Sequence, residues 1–328
     1  MHVLVTGAAG KVGQALVARL LAGSGNVPDD LRIRALCHNR MLAETPRLSV
    51  VAGTIADREV CRTALEGITH VVHLATCKET PDDVMDVAIK GLFWLLEEFR
   101  TSSTAQRFIL IGGDAAVGHF FHRHPAPITE TTPHRAYPGC YALSKVMEEV
   151  MVEQYGIQYG IDWCCLRAPW IMEKDDFRYS LSFGDDVFGG PDWKSMVSPE
   201  QAETSRCTGA VPLLQEEDGT PVKRNFVHVD DLVEAIVTAL TAKAARGKLY
   251  NIAMDEPVDY GAVAAYLART RGLPSIAIRS PYVGNWLDNS RAKAELGWRP
   301  SYDLEKLIDS AWDYERAPDD PRRVWYPG

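Results

Sequence analysis

Short apolar runs separated by amphipathic stretches organise the first half of the chain. Residues 2–6 read as a buried strand, and near-continuous apolar runs return at 31–37, 48–51, 70–74, 107–111 and 161–167. Helical periodicity fills the intervals at 11–21, 57–66, 81–100 and 138–155. Strands that alternate with helices need crossover connections. The pattern therefore predicts an α/β fold built on a doubly wound, mostly parallel sheet covered on both faces.

After Pro169 the pattern loosens. Residues 170–224 are rich in Gly, Asp, Pro and aromatic side chains, among them Phe177, Tyr179, Phe183, Phe188 and Trp193. Regularity returns at Asn225-Phe-Val-His-Val-Asp230, followed by a helix to Ala242, a strand at 248–252 and helices near 258–269 and 303–314. This predicts a first unit over 1–168 and a smaller C-terminal α/β substrate lobe over 169–328. That lobe is not an independent domain, and 225–255 is expected to return to the first sheet. No internal repeat, low-complexity tract or long linker interrupts the chain.

Composition narrows the class. With 328 residues and 46% hydrophobic content the chain can bury a large core. A net charge of -9 argues against a nucleic-acid surface, which needs clustered Lys and Arg. No apolar run approaches the roughly 20 residues of a membrane span, and a strand beginning at residue 2 leaves no room for a signal peptide, so no membrane partner and a cytoplasmic location are expected. The seven cysteines are odd in number, Cys164 and Cys165 are adjacent in an apolar run, and none has zinc-ligand spacing; they read as reduced core thiols.

Chemistry concentrates in two places. Between the first strand and first helix lies Gly7-Ala-Ala-Gly10-Lys11-Val12-Gly13, a turn able to bind a dinucleotide pyrophosphate. A turn this tight needs positive φ, a side chain at Gly10 would stand in the path of the phosphates, and Gly13 lets the helix lie close to the strand. Later, Tyr141-Ala-Leu-Ser-Lys145 sets a phenol and an ammonium at i and i+4, on one helix face.

Six segments in this order resemble the extended short-chain dehydrogenase/reductase family of NAD-dependent epimerases and dehydratases. They are Thr6 to Gly13, His73-Leu-Ala75, Tyr141 to Lys145, Leu166-Arg-Ala-Pro169, Asn225 to Asp231 and Asn289 to Pro300. The resemblance implies a Rossmann domain over 1–168 and an NAD(P) site formed by Gly7, Gly10, Lys11, Val12, Gly13, His38, Arg40, Thr54, Ile55, Leu74, Ala75, Thr76, Tyr141, Lys145 and Ala168. It makes Tyr141 the general acid/base and Lys145 the holder of the nicotinamide ribose, and it implies a homodimer. Helices 81–100 and 138–155, with Phe93, Trp94, Leu96 and Met147, are the expected interface.

Several positions depart from the family pattern. Its triad hydroxyl, a Ser or Thr after the fifth strand, is replaced within Ile111-Gly-Gly-Asp-Ala-Ala-Val-Gly118 by Asp114 or, failing that, Gly113. An ionised Asp114 accepts hydrogen bonds but donates none, so it is held protonated, orients a substrate hydroxyl, leaves catalysis weak, or merely caps a turn. The second strand ends Cys37-His38-Asn39-Arg40, with no carboxylate to repel a 2′-phosphate, which tips the balance from NAD toward NADP. Thr54, Ala88 and Trp170 replace the family's Asp, Asn and Asn. His119, His122 and His124 are close in sequence but lack an acidic or Cys partner at recognised spacing, so no metal is expected.

Together these features predict hydride transfer at a secondary alcohol or ketone of a small carbohydrate-like substrate: a sugar, sugar acid or nucleotide sugar. Tyr141, Lys145 and Asp114 are the candidate catalytic residues. His119, Trp170 and Arg224 are candidates for substrate contact, with sugar stacking and hydroxyl acceptors expected from 170–193. A dinucleotide-sensing protein with little catalysis and a reductase of hydrophobic ketones are the alternatives.

Overall fold

The computed structural model describes residues 1–23, 27–184 and 191–320. Its first unit contains β1 (His2–Thr6), α1 (Lys11–Ala22), β2 (Arg32–Cys37), β3 (Leu48–Ala52), α2 (Arg58–Leu65) and β4 (His70–His73). There follow α3 (Pro81–Val84), α4 (Leu92–Thr101), β5 (Arg107–Gly113), α5 (Cys140–Tyr159) and β6 (Trp163–Ala168). The second half adds β7 (Trp170–Met172), α6 (Asp176–Ser180), α7 (Pro199–Thr208), β8 (Val211–Gln215), β9 (Lys223–Arg224), β10 (Phe226–His228), α8 (Val229–Thr241) and β11 (Lys248–Asn251). The chain closes with β12 (Val258–Asp259), α9 (Tyr260–Arg271), β13 (Ser275–Arg279), α10 (Ser290–Leu296) and α11 (Leu304–Asp313).

Seven strands form one sheet in the order β11-β6-β5-β4-β1-β2-β3, every pairing parallel. Both faces are covered, as continuous apolar strands require. Leu16, Val17 and Leu20 of α1 and Leu232 and Ile236 of α8 pack on one face. Leu92, Leu95, Leu96 and Phe99 of α4, with Val152 and Tyr155 of α5, pack on the other. Thus the doubly wound sheet has the expected form, and β11 completes its edge after the chain has passed through the second lobe.

The expected helix 81–100 is interrupted: a π-helical stretch, Met85–Gly91, joins α3 to α4. Gly91 passes so close to the loop after β3 that a Cβ there would lie 2.6 Å from Ile55. The segment from 225 does not enter the main sheet directly. β10 pairs with β7 instead, and only β11 reaches β6. In the second lobe β8 and β13 pair in parallel and β9 meets β12 antiparallel.

The aromatic segment is largely packing. Phe177, Phe183 and Trp193 are buried with Phe226 and Tyr260 in the second lobe's own core, because a lobe attached to a sheet edge needs apolar mass of its own. Phe188 falls outside the described residues. The acceptors expected there are committed as well: Asp175 to Arg316 and Asp176 to Lys11.

Candidate active site

A cavity of about 960 Å³ opens along the carboxyl ends of β1, β2, β4, β5 and β6 and is closed from above by β7, β9 and the 282 loop. This is the edge where doubly wound sheets gather ligands. The cavity brings together every site residue expected from the sequence. Gly7, Gly10, Lys11, Val12 and Gly13 lie at its floor, with Thr54, Ile55, Leu74, Ala75, Thr76 and Ala168 along its walls. His38 and Arg40 stand exposed on its rim, while Asp114, His119, Tyr141, Lys145, Trp170 and Arg224 line the deeper part.

The turn after β1 is built as a cradle for a pyrophosphate. Gly7 has φ +64, and a Cβ there would stand 2.8 Å from the Ala75 amide nitrogen of the loop after β4. At Gly13 a Cβ would lie 2.4 Å from the Gly7 carbonyl oxygen, so only glycine lets α1 start this close to β1. Gly10 is open to the cavity: a Cβ would meet only the Gly7 oxygen, at 3.1 Å. The helix N-terminus thus faces open space where an anion fits. Lys11, next along, donates to Asp176 Oδ2 at 2.5 Å and to the Ile171 carbonyl at 3.0 Å, tying the turn to the second lobe.

The phenol and ammonium sit at the start of α5, beside the end of β5. A Cβ on Gly113 would lie 3.6 Å from Tyr141 Oη and 3.5 Å from Lys145 Cδ. Gly113, rather than Asp114, is the position whose side chain would face the phenol. Asp114 instead turns its Oδ2 to His119 Nδ1 at 2.7 Å. Arg224 Nη2 lies 3.1 Å from His119 Nε2. Lys145 is buried and donates to Glu148 Oε2 at 2.8 Å. Burial opposes its charge most strongly, yet Glu148, Tyr141 and Cys165 together outweigh this and hold the ammonium pKa above its ordinary value. Burial in turn pushes the Glu148 carboxyl up. Behind them His73, fully enclosed, donates to or accepts from Thr6 Oγ1 at 2.8 Å, and burial lowers its pKa to about 3.

A family model for the NAD dependent epimerase/dehydratase family matches residues 3–172 and 196–253. The chain belongs to that family. Among its relatives is a UDP-glucose 4-epimerase from Erwinia amylovora, 26% identical over 96% of this chain and 98% of that protein. A short-chain dehydrogenase/reductase superfamily protein from Agrobacterium tumefaciens, solved with bound NAD, superposes with a TM-score of 0.79 at 22% identity, over 95% of this chain and 96% of that one. A UDP-glucuronic acid 4-epimerase from Bacillus cereus, solved with UDP-glucuronic acid and NAD, gives 0.72 at 20% identity, over 96% and 98%. Family membership makes the chain an extended short-chain dehydrogenase/reductase enzyme of the epimerase/dehydratase type.

Several residues in or beside the cavity went unnoticed in the sequence. Lys78 places its ammonium 3.6 Å from the centre of the Tyr141 ring. Glu148, three residues beyond Lys145, was open to discovery from helical spacing alone. Phe120, Phe121, Tyr137 and Tyr282 form an aromatic group, with Phe121 stacked on Tyr137 at 4.6 Å. Nothing in their spacing announces it, since Tyr282 arrives from the far end of the chain. The three clustered histidines take separate partners: His122 the Ala136 carbonyl, His124 the Val117 carbonyl, and His119 Asp114.

The two glycines give opposite expectations. Gly13→Ala forces its Cβ into backbone and should weaken NAD(P) binding at least tenfold, with overpacking costing about 1–3 kcal/mol of stability. Gly113→Ala meets only ordinary van der Waals neighbours and should bind the dinucleotide within a few fold of wild type. Fluorescence titration of both variants measures this, and equal affinities would contradict the cradle.

Proposed function

We propose that this protein interconverts a secondary alcohol and a ketone on a carbohydrate that carries an anionic group, either a sugar acid or a nucleotide sugar. The observation that carries the reading is the meeting, in one cavity with the glycine turn, of the Tyr141 phenol and the Lys145 ammonium beside the end of β5. The open anion cradle at Gly10 and the absence of any tolerated Cβ at Gly13 fit a bound nicotinamide dinucleotide. When bound, NAD(P) supplies the acceptor and donor of hydride. Tyr141 exchanges the substrate hydroxyl proton, and Lys145 orients the nicotinamide ribose. Arg224, buried against Trp170 and Phe120, supplies the charge for the substrate's anionic group, and the aromatic rings around it suit the apolar faces of a sugar. The seven free cysteines fit a reducing, cytoplasmic setting.

The adenosine end favours NADP. His38 and Arg40 are exposed on the rim and no carboxylate ends β2, so nothing there repels a 2′-phosphate. A homodimer is supported by an apolar stripe on α5, where Leu143, Val150 and Ile157 recur every seven residues at 53%, 39% and 69% exposure, with Phe93 of α4 at 39%. Leu96, by contrast, is core and contributes no interface area.

Turnover of a panel of sugar acids and nucleotide sugars, followed by nicotinamide absorbance, tests the main reading. Tyr141→Phe should abolish turnover with cofactor affinity nearly unchanged, whereas Lys145→Ala should damage both; wild-type rates in Tyr141→Phe would end the assignment. Titration of both cofactors should show a modest preference for NADP, reversed by Cys37→Asp, and tighter NAD binding by the wild type would refute it. Light scattering at micromolar concentration should report a dimer, and Val150→Glu a monomer; a monomeric wild type would rule the interface out.

A further inference from the structure

The buried face of α5 includes Ala142, Lys145, Glu148, Glu149, Val152 and Tyr155, a helical stripe that packs on the sheet and calls for apolar side chains. Two carboxylates stand in it instead. Glu149 is bound on both oxygens, by Arg167 and on one of them also by His134, and serves as an anchor. Glu148 has a single partner: Oε2 accepts from Lys145 Nζ at 2.8 Å, while Oε1 has no hydrogen-bond partner among the described residues. A carboxylate retained for packing alone does no better than an apolar side chain of similar volume, so the reason for this one lies with Lys145.

Lys145 is 4% exposed and Glu148 0%, and an ammonium at that depth gives up its proton unless an anion faces it. The other groups around it do not supply one in Glu148's place. From β4, His73 is neutral: Thr6 Oγ1 accepts from the Leu74 and Ala75 amides, so its one proton goes to His73 Nδ1, and burial lowers the ring's pKa to about 3. From β6, burial pushes the Cys165 thiol well up and keeps it uncharged. Tyr141 lies one turn earlier on α5, and Lys78, from the loop after β4, stands 3.6 Å from the centre of its ring. Burial pushes the Glu148 carboxyl up, Lys145 and Lys78 pull it back, and Glu149 adds to the rise.

An ammonium has three donors. One goes to Glu148, one reaches toward the Ile111 carbonyl at 3.5 Å, and the third has no protein acceptor among the described residues, on a side chain that lines the cavity. Ala88, where the family pattern has Asn, brings no polar atom to help; it packs with Cys77 and Val84.

We propose that Glu148 is a positioning residue: its carboxylate holds Lys145 as an ammonium beside the end of β5 and leaves one Nζ donor for the nicotinamide ribose. The proposal rests on the reading that Lys145 serves that ribose. It divides the buried negative charge of α5 between two roles, with Glu149 placing the helix and Glu148 placing and charging the lysine.

The test is the pH dependence of NAD(P) affinity, followed by fluorescence titration in a Tyr141→Phe background where the phenol no longer titrates. Lys145 loses its charge as pH rises through its own pKa, so affinity falls on the alkaline side. With Glu148 in place the surrounding groups outweigh burial and that pKa stands above its ordinary value. In Glu148→Gln burial meets no carboxylate, and the fall should begin at least about two pH units lower, leaving affinity at pH ~9 about tenfold below that of the Glu148 protein. Glu148→Asp keeps the charge on a shorter arm and should recover most of the original profile. Thermal unfolding of the same proteins isolates the structural share: a Glu148→Gln variant that is destabilised yet loses affinity at the unchanged pH overturns the proposal. Nitrogen-15 NMR of Lys145 Nζ in the cofactor-free wild type should show an ammonium at pH ~9, and a neutral amine there overturns it without any variant. If Lys145→Ala damages cofactor binding while Glu148→Gln matches its parent throughout, only the role of Glu148 is lost. If Lys145→Ala binds the cofactor as the wild type does, that reading and this proposal fall together.

Discussion

The ion pair between Glu149 and Arg167 fixes the helix that carries Tyr141 and Lys145. Arg167 of β6 donates from Nε and Nη2 to the two carboxylate oxygens of Glu149, at 3.0 and 2.7 Å, with both side chains almost wholly excluded from solvent. Although burial opposes its charge, Glu149 keeps a pKa below the ordinary carboxylate value, because His134 and Arg167 both bond to it. Two charges removed from water at this depth are stable only as a pair, and loss of one partner from such a site costs about 3–5 kcal/mol. The pair therefore sets the azimuth and depth of α5 on the sheet. Tyr141 and Lys145, about two turns and one turn earlier on that helix, inherit their place from it.

The adjacent glycines at the end of β5 follow from this constraint. A Cβ on Gly112 would stand 2.8 Å from Glu149 Oε1 and 2.9 Å from Cys165 Sγ, so the carboxylate occupies the space a side chain would need. Gly113 has a different reason, or none imposed by packing: its missing Cβ faces the phenol at ordinary contact distance. Arg167 also donates from Nη1 toward Asn251 Oδ1 of β11 at 3.4 Å. The Asn251 amide in turn donates to the carbonyls of Ile128 and Asp288 at 3.0 Å. The same buried charge thus ties β6 and β11 to the segments at 128 and 288.

The sheet was legible because its signals are local. β1, β2 and β4 are short, mostly buried runs centred on aliphatic residues, and the glycine turn combines spacing with a strand before it and a helix after it. Elements that depend on distant partners were not legible. β8 contains Pro212, β13 ends in Arg279, and neither reads as a strand until the other pairs with it over Val211 to Gln215. The π-helical stretch at Met85–Gly91 keeps helical periodicity in sequence and shows its irregularity only where Gly91 meets Ile55. The site divides in the same way: Tyr141 and Lys145 declare themselves by i, i+4 spacing, whereas the contact of His119 with Arg224 joins residues 105 apart. The place of the lost hydroxyl falls at Gly113, whose Cβ would face the phenol, rather than at Asp114, and which neighbour takes up the Asp114 carboxylate depends on how the turn after β5 folds back.

Net charge and local charge point in opposite directions, and the difference is itself informative. The chain carries -9 overall, yet Lys11, Arg40, Lys78, Lys145 and Arg224 line the cavity against only Glu79, Asp83 and Asp114 among its described residues. Low-dielectric walls strengthen such a concentration, so an acidic surface encloses a positive interior. Lys11 pairs with Asp176 and Lys145 with Glu148. The other cations are spread along the cavity: Arg40 at the rim, Lys78 against the phenol ring, and Arg224 in its aromatic clamp. Positive charge spaced in this way suits an extended dinucleotide and a second anion on the far side of Tyr141 better than one compact polyanion. On the proposed reading, proton exchange takes place at the Tyr141 phenol, between the glycine turn at one end of the cavity and Arg224 at the other.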